Sequence, residues 1–232
     1  MSVEDLITDP PKIHGPGIGV ACLSLEGWAL RRIHDIVDSD MTTMETGAGL
    51  STIVFAQKSR RHFCITPAAE EVQRLEKYAS EHKIPFDTVE FCIGKSEEVL
   101  PEFRGVSIDV GLIDGRHGFP APIIDWYYMA NLLKVNGWLI VDDIELWPVR
   151  HLTDFLGHSS DWRIDCVRGK TAFYRYLGGD SHNLEWDAQP YVVQESRPAP
   201  MAVWKRRLRE YSLLVSRCDW QELRSRLKRV GR

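Results

Sequence analysis

Apolar and polar positions along this chain change period several times. From position 41 onward, short apolar runs alternate with longer stretches whose apolar residues recur every three or four positions. The runs predict strands over 42–45, 62–66, 88–93, 109–113 and 138–141; the stretches between them predict helices over 51–58, 68–82, 96–103 and 122–133. Within 68–82, Ala69, Val72, Leu75 and Ala79 fall on one helical face. Pro122 suits the first turn of its helix, and Gly137 suits a stop after Leu133. Upstream, 24–37 reads as a helix with Ser24 as N-cap, Glu26 in the first turn, and Trp28, Leu30, Ile33 and Ile36 as its apolar face. Regular β–α alternation implies a parallel sheet covered by helices on both faces, with ligands at the carboxyl ends of the strands.

After Val141 the pattern changes. A helix is predicted over 149–156, then two strands over 162–167 and 171–176, joined as a hairpin by Arg168-Gly169-Lys170. Residues 178–200 read as a loop, and residues 1–20, rich in Pro and Gly, as irregular. From 202 to 230 the chain reads as an amphipathic helix, with Trp204, Leu208, Tyr211, Val215 and Cys218 on one stripe, then Leu223, Leu227 and Val230. The expected organisation is an irregular segment 1–23, an α/β domain 24–178, a loop 179–200 and a helical tail 201–232.

Charge sharpens the picture of the tail. Residues 201–232 hold ten Lys or Arg against three Asp or Glu, a net of +7, so the other 200 residues carry −11 of the total of −4. The apolar stripe favours a tail docked on the domain or on a second copy of the chain as a homodimer. An anionic membrane surface ranks second and nucleic acid third, the acidic main body arguing against it. No apolar run is long enough to cross a membrane, and the first 14 residues lack the apolar core of a secretory signal. Five scattered cysteines without a C-x-x-C pair suit free thiols in a reducing cytoplasm.

The most informative segment runs from Met44 to Thr52. Glu45-Thr46-Gly47-Ala48-Gly49 follows a strand and precedes a helix, an E-x-G-x-G turn. Glycines let a backbone approach a ligand closely, and the helix start offers free N–H groups, so the turn suits an adenosine-containing cofactor. The other strands also end in small or polar residues: Thr66-Pro67, Gly94-Lys95-Ser96, Asp114-Gly115-Arg116-His117 and Asp142-Asp143. Together these gather at one edge of the sheet.

In this order and at these spacings, the stations resemble the class I S-adenosylmethionine-dependent methyltransferases. Leu112-Ile113-Asp114-Gly115-Arg116-His117 and the run from Leu132 to Asp143 are similar to the I-D-G-x-H … L-L-x-x-G-G-x-x-x-x-D-D pattern of small bacterial O-methyltransferase-like domains. The resemblance covers roughly 24–176. It implies an α/β, Rossmann-like, doubly wound seven-stranded sheet, mostly parallel with an antiparallel terminal hairpin, here followed by a C-terminal helical extension.

Carried over residue by residue, the resemblance implies that Gly47 and Gly49, with Ser51 at the helix start, lie against the methionine part of the cofactor. Glu45 would orient it. Gly94, Lys95 and Ser96 would border the adenine, and Asp114 would sit near the sulfonium. In the metal-dependent branch, Asp114, Asp142 and Asp143 would hold Mg²⁺, a hard cation that oxygen ligands suit. His117 is the candidate base, since an imidazole exchanges protons near neutral pH; a structural loop histidine is the plainer reading. Trp147 has even claims as an acceptor-site residue, whereas Trp126, Tyr127 and Tyr128 read as packing residues.

Two positions depart from the family pattern. Thr66 stands where an acidic residue usually grips the ribose hydroxyls, and Arg116 brings a positive charge to the pocket mouth that would favour an anionic acceptor. The expected function is methyl transfer from S-adenosylmethionine to an oxygen of a small molecule, with Mg²⁺ as a candidate helper and no nucleic acid as partner. The alternatives are a non-catalytic methyltransferase-like binding module, which Thr66 supports, and a nicotinamide enzyme, against which the missing G-x-G-x-x-G counts.

Overall fold

Strand β1 (Thr42–Thr46) is buried along its whole length, and the rest of the sheet is built outward from it. The computed structural model describes residues 1–13, 25–196 and 209. They divide into two compact units, residues 1–184 and 185–232. The first contains β2 (Arg61–Thr66), β3 (Val89–Ile93), β4 (Ile108–Ile113), β5 (Leu133–Val141), β6 (Trp162–Arg168) and β7 (Thr171–Tyr176). The sheet has seven strands in the order β3-β2-β1-β4-β5-β7-β6. Neighbours from β3 to β5 are parallel, and β7 runs antiparallel to both β5 and β6. The winding direction reverses between β1 and β4. Such a reversal opens a crevice beyond the strand ends, because the flanking loops leave toward opposite faces.

Helices cover both faces. On one lie α1 (Val3–Thr8), α2 (Gly27–Ile36), α3 (Leu50–Lys58) and α4 (Ala69–His82), where Leu6, Leu30, Ile33, Ile53 and Leu75 pack with Val110, Ile140 and Phe173 of the sheet. On the other lie the short α5 (Ser96–Val99), α6 (Ala121–Leu132) and α7 (Trp147–His158), where Trp126, Met129, Leu152 and Leu156 meet Met44, Ile113, Val141 and Tyr174. Side chains of a strand alternate between faces, so Met44 joins the second core while Thr43 and Glu45 point into the first.

Several elements differ from the sequence-based expectation for identifiable reasons. The supposedly irregular N-terminus holds α1, started by a capping box: Asp5 N donates to Ser2 Oγ (3.2 Å) and Ser2 N to Asp5 Oδ2 (2.9 Å). Its Leu6 is fully buried and Glu4 clasps Arg31 of α2 (2.6 Å). Helix α2 begins at Gly27 with Glu26 as N-cap, and Ser24 lies outside the described residues. The 96–103 helix stops at Val99 and continues as a 3₁₀ turn, Leu100–Glu102, because Pro101 has no N–H to donate. Gly137 does not stop a helix. It lies inside β5 beside a register shift, where a Cβ would sit 2.4 Å from a Leu133 methyl.

In the stretch 178–200, expected to be a loop, the first unit ends in a 3₁₀ turn (Ser181–Asn183). The second unit has a 3₁₀ turn (Trp186–Ala188) and α8 (Pro190–Ser196). The basic tail and its homodimer reading lie outside the described residues, apart from Arg209, which is helical. Among the described residues no helix is long and apolar enough to cross a membrane.

Candidate functional site

A cleft of about 420 Å³ opens at the carboxyl ends of β1, β2 and β4, within the range usual for small-molecule sites. A larger depression, about 760 Å³, lies at the opposite edge, where Thr42, Arg61 and Val89 begin their strands. Ligands of wound parallel sheets bind at the carboxyl edge, so the smaller cleft is the candidate site.

Its first wall is the glycine turn. Gly47 has φ +91°, and a Cβ there would lie 2.3 Å from the Asp114 carbonyl oxygen. The glycine therefore makes room for the protein's own backbone: it lets the loop after β1 nest against the loop after β4, where Asp114 N donates to Thr46 O (3.1 Å). Gly49 is different, since among the described residues no atom beyond its own chain neighbours lies within 4 Å of its would-be Cβ. Its N–H donates to Thr52 Oγ1 (3.0 Å) as α3 begins, and Ser51 stands beside it on the cleft wall.

Glu45 is 1% exposed and is not on that wall. Ser51 Oγ donates to its Oε2 (2.6 Å) and Thr52 Oγ1 to its Oε1 (2.5 Å), while His62 Nε2 lies 3.0 Å from Oε1. His62 is stacked on Phe55 (4.6 Å between ring centres), and its Nδ1 meets Thr43 Oγ1 at 2.8 Å. Cys64 lies alongside; burial first, and then the Glu45 charge, push its thiol well above the usual range. Position 45 thus organises the turn from below.

The opposite wall carries Asp114, His117 and Asp143, whose ligand-type atoms all lie within 4.8 Å of one another. His117 Nε2 is 3.2 Å from Asp143 Oδ2 and 3.8 Å from Asp114 Oδ1. Asp142 turns away into the protein, where Thr171 Oγ1 donates to its Oδ1 (2.5 Å). Lys170 Nζ lies 2.9 Å from Asp142 Oδ2 and 2.8 Å from Asp143 Oδ1. Burial, reinforced by the Asp142 charge, holds the Asp114 carboxyl well above the ordinary carboxylate range; burial also raises Asp142, against the pull of Thr171 and Lys170. Burial pulls the Lys170 ammonium down, but its contacts with Asp143 and Asp142 win and raise it.

The adenine-side candidates divide. Lys95 and Ser96 line the cleft, whereas Gly94, at φ +159°, makes the turn after β3 behind them. Thr66 is buried on the wall and its hydroxyl accepts from Ala68 N (3.2 Å). Glu71, in the first turn of α4, brings a carboxylate to the same end. Position 71 lies five residues beyond the end of β2 at Thr66, so no signal at the strand end points to it. Arg116 is paired with Glu97 (2.9 Å), so its charge at the mouth is compensated.

Behind Ser96 and Thr46 sits Asp125 of α6, 0% exposed and without a well-aligned hydrogen bond. Burial pushes its carboxyl up to about 6, while Ser96 and Thr46 pull it slightly back. The native state therefore binds this proton more tightly than the unfolded chain, and stability is lost as pH rises from about 4 to 6. We expect Asp125→Asn to gain about 2 kcal/mol over wild type between pH 4.5 and 7.5, measured by urea unfolding at both. An equal difference at both pH values would refute this.

Beyond His117 and Asp143 in sequence lie two exposed aromatics, Phe119 and Trp147, with ring centres 5.8 Å apart. Trp126 is buried against Phe155, in keeping with a packing role, whereas Tyr127 is 40% exposed.

The family model described as "Methyltransferase domain" matches residues 44–144, the span from β1 to just past Asp143. Residues 44–144 are thus similar to a methyltransferase domain, and the seven-stranded sheet around them has the methyltransferase-type fold. Solved structures agree in fold. The O-methyltransferase TomG from Streptomyces achromogenes, involved in tomaymycin synthesis and solved with S-adenosylmethionine, is 16% identical. It superposes with a TM-score of 0.59 over 68% of this chain and 82% of its own. A methyltransferase from Geobacter sulfurreducens is 18% identical, with a TM-score of 0.55 over 66% and 80%. An rRNA methylase from Streptococcus thermophilus is 13% identical, with a TM-score of 0.53 over 66% and 96%. No curated protein matches in sequence.

The residues of the cleft would fit S-adenosylmethionine, with which TomG was solved. The turn from Gly47 to Ser51 leaves space above Gly49 among the described residues, Asp143 gives the cleft a carboxylate that suits a cationic sulfonium, and Glu71 brings another to the adenine-side end. They do not fit magnesium at Asp114, Asp142 and Asp143. Asp142 is absent from the group of converging ligand atoms, and both its oxygens face Thr171 and Lys170.

Proposed function

We propose that this domain transfers a methyl group from S-adenosylmethionine to an oxygen of a small-molecule acceptor. The observation that carries the reading is the cleft at the β1–β4 reversal, with the glycine turn on one wall and His117 between Asp114 and Asp143 on the other. S-adenosylmethionine, when bound, supplies an electrophilic methyl group on a positively charged sulfur. The acceptor oxygen would take that methyl group while the sulfur kept the electron pair of the C–S bond, so the protein has mainly to align the two and receive a proton.

His117 is assigned that proton. Its ring faces the cleft, and the Asp143 carboxylate, 3.2 Å from Nε2, stabilises the imidazolium that results. Phe119 and Trp147 offer an apolar seat for an acceptor ring. An acidic body carrying −11 outside the tail disfavours a nucleic-acid acceptor.

Thr66 spends its hydroxyl as an acceptor for Ala68 N, and the ribose hydroxyls are assigned instead to Glu71. Calorimetry with S-adenosylhomocysteine tests both statements. Wild type is expected to bind it, and Glu71→Gln to bind roughly tenfold more weakly, the value of a charge-assisted hydrogen bond. No binding to wild type would reject the enzyme reading; unchanged affinity in the variant would reject only the role of Glu71.

A further inference from the structure

Lys170 sits where the family pattern would place a metal among carboxylates. Its ammonium bridges Asp142 and Asp143 at 2.9 and 2.8 Å, and the side chain is only 19% exposed. The contact is built into the hairpin. Lys170 N donates to Glu26 Oε2 (3.1 Å), and Lys170 O accepts from Ile144 N (3.0 Å), so the residue's backbone is held on both sides. Gly169, at φ +53°, packs so closely on Glu26 that a Cβ would lie 2.1 Å from its carboxylate oxygen. The side chain of Asp142 is 0% exposed and needs a cation beside it, since an uncompensated buried carboxylate is costly.

We infer that Lys170 is a resident cation that replaces a divalent metal in this site. It holds Asp142 and Asp143 in place beside Asp114 and His117 and keeps divalent ions out. A hard divalent ion needs several oxygen ligands converging at close range. Here one Asp142 oxygen is taken by Thr171, and the other shares Lys170 with Asp143. An ammonium on a hairpin turn supplies the positive charge without that geometry. The inference takes the cleft as the methyltransferase site, but it concerns the carboxylates alone and is tested without methyl transfer.

Removing the ammonium should create a metal site. The full chain is titrated with Mn²⁺ alone, and free ion is read by electron paramagnetic resonance. Wild type and Lys170→Arg are expected to leave Mn²⁺ free at equimolar, sub-millimolar concentrations. Lys170→Ala is expected to take up one ion per chain at least tenfold more tightly than wild type. Asp143→Asn added to Lys170→Ala should abolish that uptake. Stoichiometric Mn²⁺ binding by wild type, matching that of Lys170→Ala, overturns the inference, as does a folded Lys170→Ala that binds no better than wild type. If Lys170→Ala does not fold, Lys170→Met, which keeps the stem, takes its place. Failure of S-adenosylhomocysteine to bind would leave these outcomes unaltered, so the two readings fail separately.

Discussion

Gly47→Ala is expected to destabilise the domain by about 3–5 kcal/mol, placing it among the most damaging single substitutions. Alanine at a positive φ costs roughly 1–2 kcal/mol through the clash of its Cβ with its own backbone. The larger part comes from outside: the new Cβ would lie 2.3 Å from the Asp114 carbonyl oxygen and 2.9 Å from its carbon. That carbonyl cannot retreat freely, because Asp114 N is bonded to Thr46 O and Gly115 packs 3.1 Å from Thr46 Cβ through its own would-be Cβ. Gly49→Ala is the control. Its backbone is extended at φ −171°, and its Cβ would meet no atom of the described residues, so stability should change by less than about 1 kcal/mol. Any loss of S-adenosylhomocysteine affinity in Gly49→Ala then reports on the ligand. Thermal unfolding of both variants checks the contrast; a Gly47→Ala protein within 1 kcal/mol of wild type would show that the two loops do not need to nest.

The contrast shows what the sequence made legible. Periodicity placed all seven strands and the edge where Gly47, Asp114 and Asp143 meet, because short buried runs and their polar ends are local signals. It also put a glycine at 47, but for a different reason: the crowding atom is the backbone of β4's loop, 67 residues away, not a ligand. Distance along the chain explains the other gaps. Asp142 and Asp143 are adjacent letters, yet Asp142 meets Thr171 while Asp143, turned at φ +54° past the strand end, faces His117. Lys170 reads as a turn residue in Arg168-Gly169-Lys170, and only the antiparallel pairing of β7 with β5 carries it to the two aspartates. Glu71 is one of several acidic residues in a polar helix, and only the turn after β2 makes it a wall of the cleft. Ser2 and Asp5 did spell a capping box, a signal available in the sequence and overshadowed by the prolines that follow.

Glu45→Ala separates the two roles open to the acidic residue of the glycine turn. Its carboxylate accepts from Ser51 and Thr52 and meets His62, whose side chain is 0% exposed. Deleting it leaves two hydroxyls and a buried imidazole without their partner, and breaking such a buried arrangement costs about 3–5 kcal/mol. Glu45→Gln keeps the shape and one acceptor oxygen, so about 1–2 kcal/mol is expected there. Because the carboxylate lies beneath the cleft wall and does not line it, S-adenosylhomocysteine affinity of the folded Gln variant should stay within about threefold of wild type, worth less than 1 kcal/mol. The reverse pattern, full stability with affinity lost, would mean that Glu45 turns outward to grip the cofactor, and that its contacts with Ser51, Thr52 and His62 belong only to the ligand-free arrangement. Chemical unfolding and calorimetry on the same two variants decide between a residue that holds the glycine turn and one that holds the ligand.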